Sequence, residues 1–99
     1  MSPKVSYDLM GFQFITFPNE NGERFHVHVA RGKNHNVNLK FWYVNSEWVL
    51  DESQSTLKVT PRELRLIREH LARNRAQIVT AIVDFHNTNA DGISRMRLE

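Results

Sequence analysis

Ninety-nine residues, 40% hydrophobic and 24% charged, suit one small globular domain with a single core and exclude a disordered chain. Thirteen Lys and Arg stand against 11 Asp and Glu, and the net charge of +2 does not by itself imply a nucleic-acid partner. Cysteine is absent, which excludes a disulfide framework, a thiolate metal site and a cysteine nucleophile.

Residues 1–8 read as an N-terminal lead with no assigned structure. They lack the apolar run of a signal peptide, and no later stretch approaches the ~18 continuous apolar residues of a membrane span. A cytoplasmic protein without membrane association is the expectation. From Leu9 to Phe17 aromatic and β-branched residues dominate and predict a first strand, closed by Pro18. Asn21-Gly22 then marks a hairpin turn, because both residues tolerate positive φ. Arg24 to Ala30 alternates without a fault, with Phe25, Val27 and Val29 on one side and Arg24, His26, His28 and Ala30 on the other. After a turn at Gly32 the pattern repeats. Val37, Leu39, Phe41 and Tyr43 oppose Asn36, Asn38, Lys40 and Trp42. Asn45-Ser46 predicts a two-residue turn into a short fourth strand over 47–50. The polar segment 51–56 reads as a loop, and Leu57 to Val59 as a brief further strand.

The strongest local pattern starts at Thr60. Thr60 can cap free N–H groups, Pro61 sits where a missing N–H costs nothing, and Glu63 can reach back to the Thr60 backbone. Leu64, Ile67, Leu71, Ile78, Ile82 and Phe85 follow at helical spacing, and neither Gly nor Pro interrupts them. One unbroken helix of roughly seven turns is expected from Pro61 to Phe85. The order predicts an α+β domain over 9–86: an antiparallel meander of three to four strands against one long C-terminal helix, as a two-layer sandwich. Residues 87–99 are expected to be a flexible tail.

One helix covers only one face of a sheet. The apolar sets should face it, leaving His26, His28, Asn36, Asn38, Lys40 and Trp42 on an open, polar face. That face is the candidate binding surface, and Trp42→Ala is expected to weaken a contact without disturbing the fold. His26 and His28, two residues apart on one strand, could share a metal if His35 or a carboxylate supplied a third ligand. His26 with Lys40 is also a minimal acid–base pair for cleaving RNA, and Trp42 could stack on a base. Equally, Trp42 could cover a protein partner or a second copy of the chain. Arg62, Arg65, Arg68, Arg73 and Arg75 form no single ridge. Arg68 and Arg75 fall beside the apolar stripe, where their stems can snorkel over the core edge. No Gly-rich phosphate loop, nucleophile elbow or carboxylate pair is present, no cofactor is implied, and a binding role is favoured over an enzyme.

The Asn-Gly turn, Phe25-His26-Val27 on the next strand, and the capped segment Pro61-Arg62-Glu63-Leu64-Arg65-Leu66-Ile67 together resemble the domain-of-unknown-function 4160 family. These are short single-domain bacterial and phage proteins with a Pro-His-Phe-His-Val segment and a later Pro-Arg-x-Leu-x-Leu-Val helix. Asn74-Arg75-Ala76-Gln77-Ile78 is similar to the family's second amphipathic stretch. The family's first histidine falls on Arg24, so only His26 carries over, and His28 lies outside the pattern. The activity of the family is unassigned. Its genes often adjoin another small domain in an arrangement similar to a toxin–antitoxin pair, so the resemblance implies a protein partner more than an enzyme. Three readings stand open: an interaction module using the open face with a protein partner or as a homodimer, a nucleic-acid-binding or RNA-cleaving domain, and a metal-binding protein.

Overall fold

The computed structural model describes residues 4–5, 9–17 and 23–88. Four antiparallel strands form one sheet in chain order: β1 (Phe12–Ile15), β2 (His26–Arg31), β3 (Asn38–Val44) and β4 (Glu47–Leu50). A single 3-10 turn at Glu52–Gln54 precedes two helices, α1 (Pro61–Arg73) and α2 (Arg75–Thr88). The expected α+β meander is therefore present. The predicted Asn21-Gly22 turn and the tail beyond Thr88 lie outside the described residues.

Turn chemistry sets the strand ends. Asn45 and Ser46 both have positive φ, 52° and 64°, as a two-residue hairpin between β3 and β4 requires. The expected first strand is shortened by a turn that its apolar composition concealed. Met10 and Gly11 take φ values of 52° and 83°, and Leu9 and Phe12 exchange backbone hydrogen bonds across them. Val5, in the supposed lead, donates its backbone N–H to the Phe14 carbonyl and is buried in the core. Asn36 and Val37 precede β3 rather than belonging to it, and Leu57 to Val59 forms no strand.

Pairing confirms the alternation. Val27 lies opposite Phe41, Val29 opposite Leu39 and Phe14 opposite Val29, so one face carries the phenylalanines and valines. That face shares a single core cluster with Ile67 and Leu71 of α1 and Ile78 and Ile82 of α2. The helix start is as expected. Thr60 Oγ1 accepts from the Glu63 amide at 3.1 Å, and the Glu63 carboxylate accepts from the Thr60 N–H at 2.9 Å. Glu63 also receives the Arg31 guanidinium at 3.2 Å, which joins the end of β2 to the start of α1. Hydrogen bonds from Arg31 and then from Thr60 hold the Glu63 carboxyl below its ordinary pKa.

The single long helix is corrected: it breaks at Asn74. There φ is −108° and ψ is 24°, outside the helical region, and both the backbone N–H and the side-chain amide of Asn74 bond to the His70 carbonyl at 3.0 Å. Asn has low helix propensity because its amide competes for backbone partners in this way. The apolar stripe survives because Leu71 and Ile78, one heptad apart across the break, are both buried.

Two outcomes follow from this packing. Leu71→Ala should destabilise the domain by ~2–5 kcal/mol in urea unfolding, since its side chain is 1% exposed. His70 stacks on Phe14 at 4.4 Å, and burial first, then the Arg73 charge, lowers its pKa from 6.5. The unfolded chain thus binds this proton at a higher pH than the folded one. Stability should fall as pH drops through about 6.5 and on to the folded pKa, and His70→Gln should flatten that part of the profile.

Candidate functional site

The residues singled out on the polar side of the sheet are brought together, but they are not open. Antiparallel register sets His26 against Trp42 and His28 against Lys40. The His26 ring meets His28 at 5.0 Å and Trp42 at 5.1 Å, edge to face. Yet His26 is 0% exposed, His28 6% and Lys40 4%. Ile15, Thr16 and Ala30 are buried as well. The open-face expectation is therefore corrected: β2 is buried on both sides.

Lys40, His26 and His28 each have a hydrogen-bond partner that makes burial tolerable. Lys40 Nζ donates to Glu23 at 2.9 Å and to Gln54 at 3.1 Å, and sits 4.2 Å from the centroid of the Trp42 ring. The 3-10 turn that carries Gln54 is a local bulge in the continuation of β4. Asp51 N–H bonds Lys40 O, Thr56 N–H bonds Asn38 O, and the residues between swing over the Lys40 side chain. Ser55 Oγ accepts the Lys40 backbone N–H at 2.9 Å, replacing the missing ladder bond. Trp42 Nε1 donates to Asp51 at 2.7 Å. Hydrogen bonds from Ser53 and then from Trp42 keep the Asp51 carboxyl below its ordinary 3.8.

Both histidines donate through Nδ1. His26 Nδ1 lies 2.7 Å from the Arg24 carbonyl, which can only accept, so Nδ1 carries the proton. Asn38 spends its amide on the His35 carbonyl, so its oxygen accepts from His28 Nδ1 at 2.9 Å. Phe17 packs edge-on against His28 at 4.5 Å. His35, the suggested third ligand, instead bonds Gln13 through Nε2 at 2.8 Å. Among the described residues no group of three or more His, Cys, Asp or Glu could hold a metal ion. Asn36 is exposed in the turn before β3, apart from this cluster. Trp42 is half-buried and touches His26, Lys40 and Asp51, so Trp42→Ala is expected instead to lower stability as well as to alter the surface.

An accessible margin of the sheet lies around β4. Val49, on the polar side opposite Trp42, is 45% exposed. On the core side a cleft of about 320 Å³ opens between β4 and the helices, lined by Ser46, Glu47, Trp48, Arg68, Leu71, Ala72 and Arg75. Arg75 donates to the Ser46 carbonyl at 3.1 Å, and Arg68 lies 6.0 Å from the Phe41 ring centroid. Neither guanidinium has a carboxylate partner among the described residues. The Trp48 indole N–H is buried without an acceptor. This cleft escaped the sequence reading, although Arg68 and Arg75, seven residues apart beside the apolar stripe, were its visible trace.

The Lys40 environment makes a testable contrast. Glu23→Ala should cost about 1–2 kcal/mol in denaturant unfolding, an ion-pair loss discounted because that carboxylate is 41% exposed. Lys40→Met, which removes the buried charge itself, should stay within about 1 kcal/mol of the parent.

No protein-family model, no curated protein and no solved structure matches the chain.

Proposed function

We propose that this chain is a small protein-interaction module whose contact surface is the β4 side of the sheet. The observation that carries this reading is the pairing of exposed Val49 with half-exposed Trp42 on the last strand, an apolar pair at the sheet margin. In this reading the helices form one layer against the phenylalanine face, and the buried polar side of the sheet is a structural element. The resemblance to the domain-of-unknown-function 4160 family supports a partner encoded beside it, in a cytoplasmic two-gene system of the toxin–antitoxin kind. A second copy of the chain is the other candidate partner.

Burial of His26 and Lys40 counts against the RNA-cleaving reading, because neither group meets a phosphodiester without the face opening. The absence of a third donor near His26 and His28 among the described residues counts against the metal. No helix among the described residues is long and apolar enough to cross a membrane.

Val49→Asp tests the reading, with Trp42→Phe as the milder companion. Co-expression with the neighbouring gene product, followed by light scattering, should show a complex or a homodimer for the parent chain. Val49→Asp should weaken it by about tenfold or more. Its own unfolding free energy should change by only about 0.5 kcal/mol, as for an exposed site. A parent chain that stays monomeric and binds nothing, or a complex indifferent to Val49→Asp, overturns the proposal.

A further inference from the structure

The edge of β4 and the cleft beside it form one continuous feature. Val44 and Glu47 close a two-residue turn, so they are a hydrogen-bonded pair, and the alternation makes Trp42–Val49 the next one. The Asp51 N–H bond to Lys40 O continues the same phase. Glu47 and Val49 therefore turn their backbone groups inward to β3, while Trp48 and Leu50 turn theirs outward. β4 is last in the sheet order, and no strand among the described residues pairs with its outer side. The outward N–H and C=O groups of Trp48 and Leu50 thus form an open sheet edge.

Side chains of an added strand would alternate between the two faces of the sheet. On the core face the space next beyond Trp48 is the cleft, between β4 and α1. Its floor is apolar, from Leu71, Ala72 and the Trp48 ring. Its flanks are the Arg68 and Arg75 guanidiniums, which have no carboxylate partner among the described residues, and Glu47 is the anionic residue among those lining it. On the other face the same strand would run past exposed Val49.

We infer that β4 accepts an extended segment of a partner protein as a fifth strand, with an acidic side chain seated in the cleft between Arg68 and Arg75. The inference rests on the interaction-module reading and specifies the partner segment: extended, apolar on alternate positions, with Glu or Asp at the position facing α1. Backbone bonds to Trp48 and Leu50 supply register, and the two guanidiniums supply selectivity. A second copy of β4 fits less well. Its core-facing side chains, Trp48 and Leu50, already pack against its own core and cannot enter a neighbour's cleft. The buried Trp48 indole N–H has no acceptor among the described residues.

The test uses the full chain labelled with nitrogen-15 and three capped pentapeptides: Ac-Val-Glu-Val-Leu-Val-NH2, the same with Gln for Glu, and the first with N-methylated backbone at its second and fourth residues. Titration followed by amide shifts should move Trp48 and Leu50, with the Trp42 indole steady. The Gln peptide and the N-methyl peptide should each bind about tenfold more weakly. Arg68→Gln with Arg75→Gln should erase the preference for Glu over Gln while leaving the thermal midpoint of the protein unchanged to within a few degrees. Equal affinity for all three peptides, or a Glu preference that survives the double substitution, overturns the inference. Concentration-dependent shifts of Trp48 and Leu50 without peptide would assign the edge to a second copy and overturn it too. If all peptides fail while Val49→Asp still disrupts the co-expressed complex, the strand-addition inference falls and the interaction-module reading stands.

Discussion

A primary ammonium buried in a protein must be neutralised and hydrogen-bonded, and Lys40 sets that condition at the centre of this sheet. It is 4% exposed on β3, beside a β2 strand whose two histidines are also buried. Glu23 precedes β2 in the chain and Gln54 follows β4, so one side chain ties the approach to β2 to the segment beyond β4. The bulge that brings Gln54 over the ammonium also sends Ser55 and Thr56 back to the β3 backbone. Trp42 completes the enclosure with its ring toward Lys40 and its N–H on Asp51. The arrangement is a satisfied polar network. Such networks specify one packing rather than add much stability.

This constraint moves the functional question from the face of the sheet to its margin. With the polar face engaged internally, accessible chemistry gathers where the sheet ends, at β4. Val49 and Trp42 lie on one side of that strand, backbone groups that no described residue pairs lie along it, and a cationic cleft lies on the other side. The cleft owes its existence to the helix break. Asn74 ends α1 and places Arg75 at the first position of α2, where it reaches the Ser46 carbonyl in the β3–β4 turn. Arg68, two turns earlier on α1, faces the same space. Three local events, a hairpin turn, a helix break and a strand end, thus meet at one corner of the molecule.

The helix–sheet joint is built differently. Arg31 spans Phe12, the Lys58 carbonyl and Glu63, so the residue that caps α1 also receives the last side chain of β2. Its geometry is partly exposed, and its direct contribution to stability is small. Its effect is positional: it sets where α1 begins relative to the sheet, while Ile67, Leu71, Ile78 and Ile82 supply the burial.

Local rules were sufficient for much of this. Alternation over 24–30 and 37–43 assigned the correct side chains to each face, because a strand's period leaves no freedom once register is set. The Thr60 capping box and the Asn45-Ser46 turn were legible because each depends on residues within four positions. Three things were decided only in the folded molecule. Met10-Gly11 became a turn because Leu9 pairs back on Phe12, while Lys4 and Val5 pair with the other end of β1. Asn74 broke the helix because its amide found the His70 carbonyl, an option that apolar periodicity does not register. The polar face was buried because exposure is not a property of residue type. His26, His28 and Lys40 look like surface residues until Arg24, Asn38, Glu23 and Gln54 are seen to satisfy them, and those partners lie up to 17 residues away in the chain.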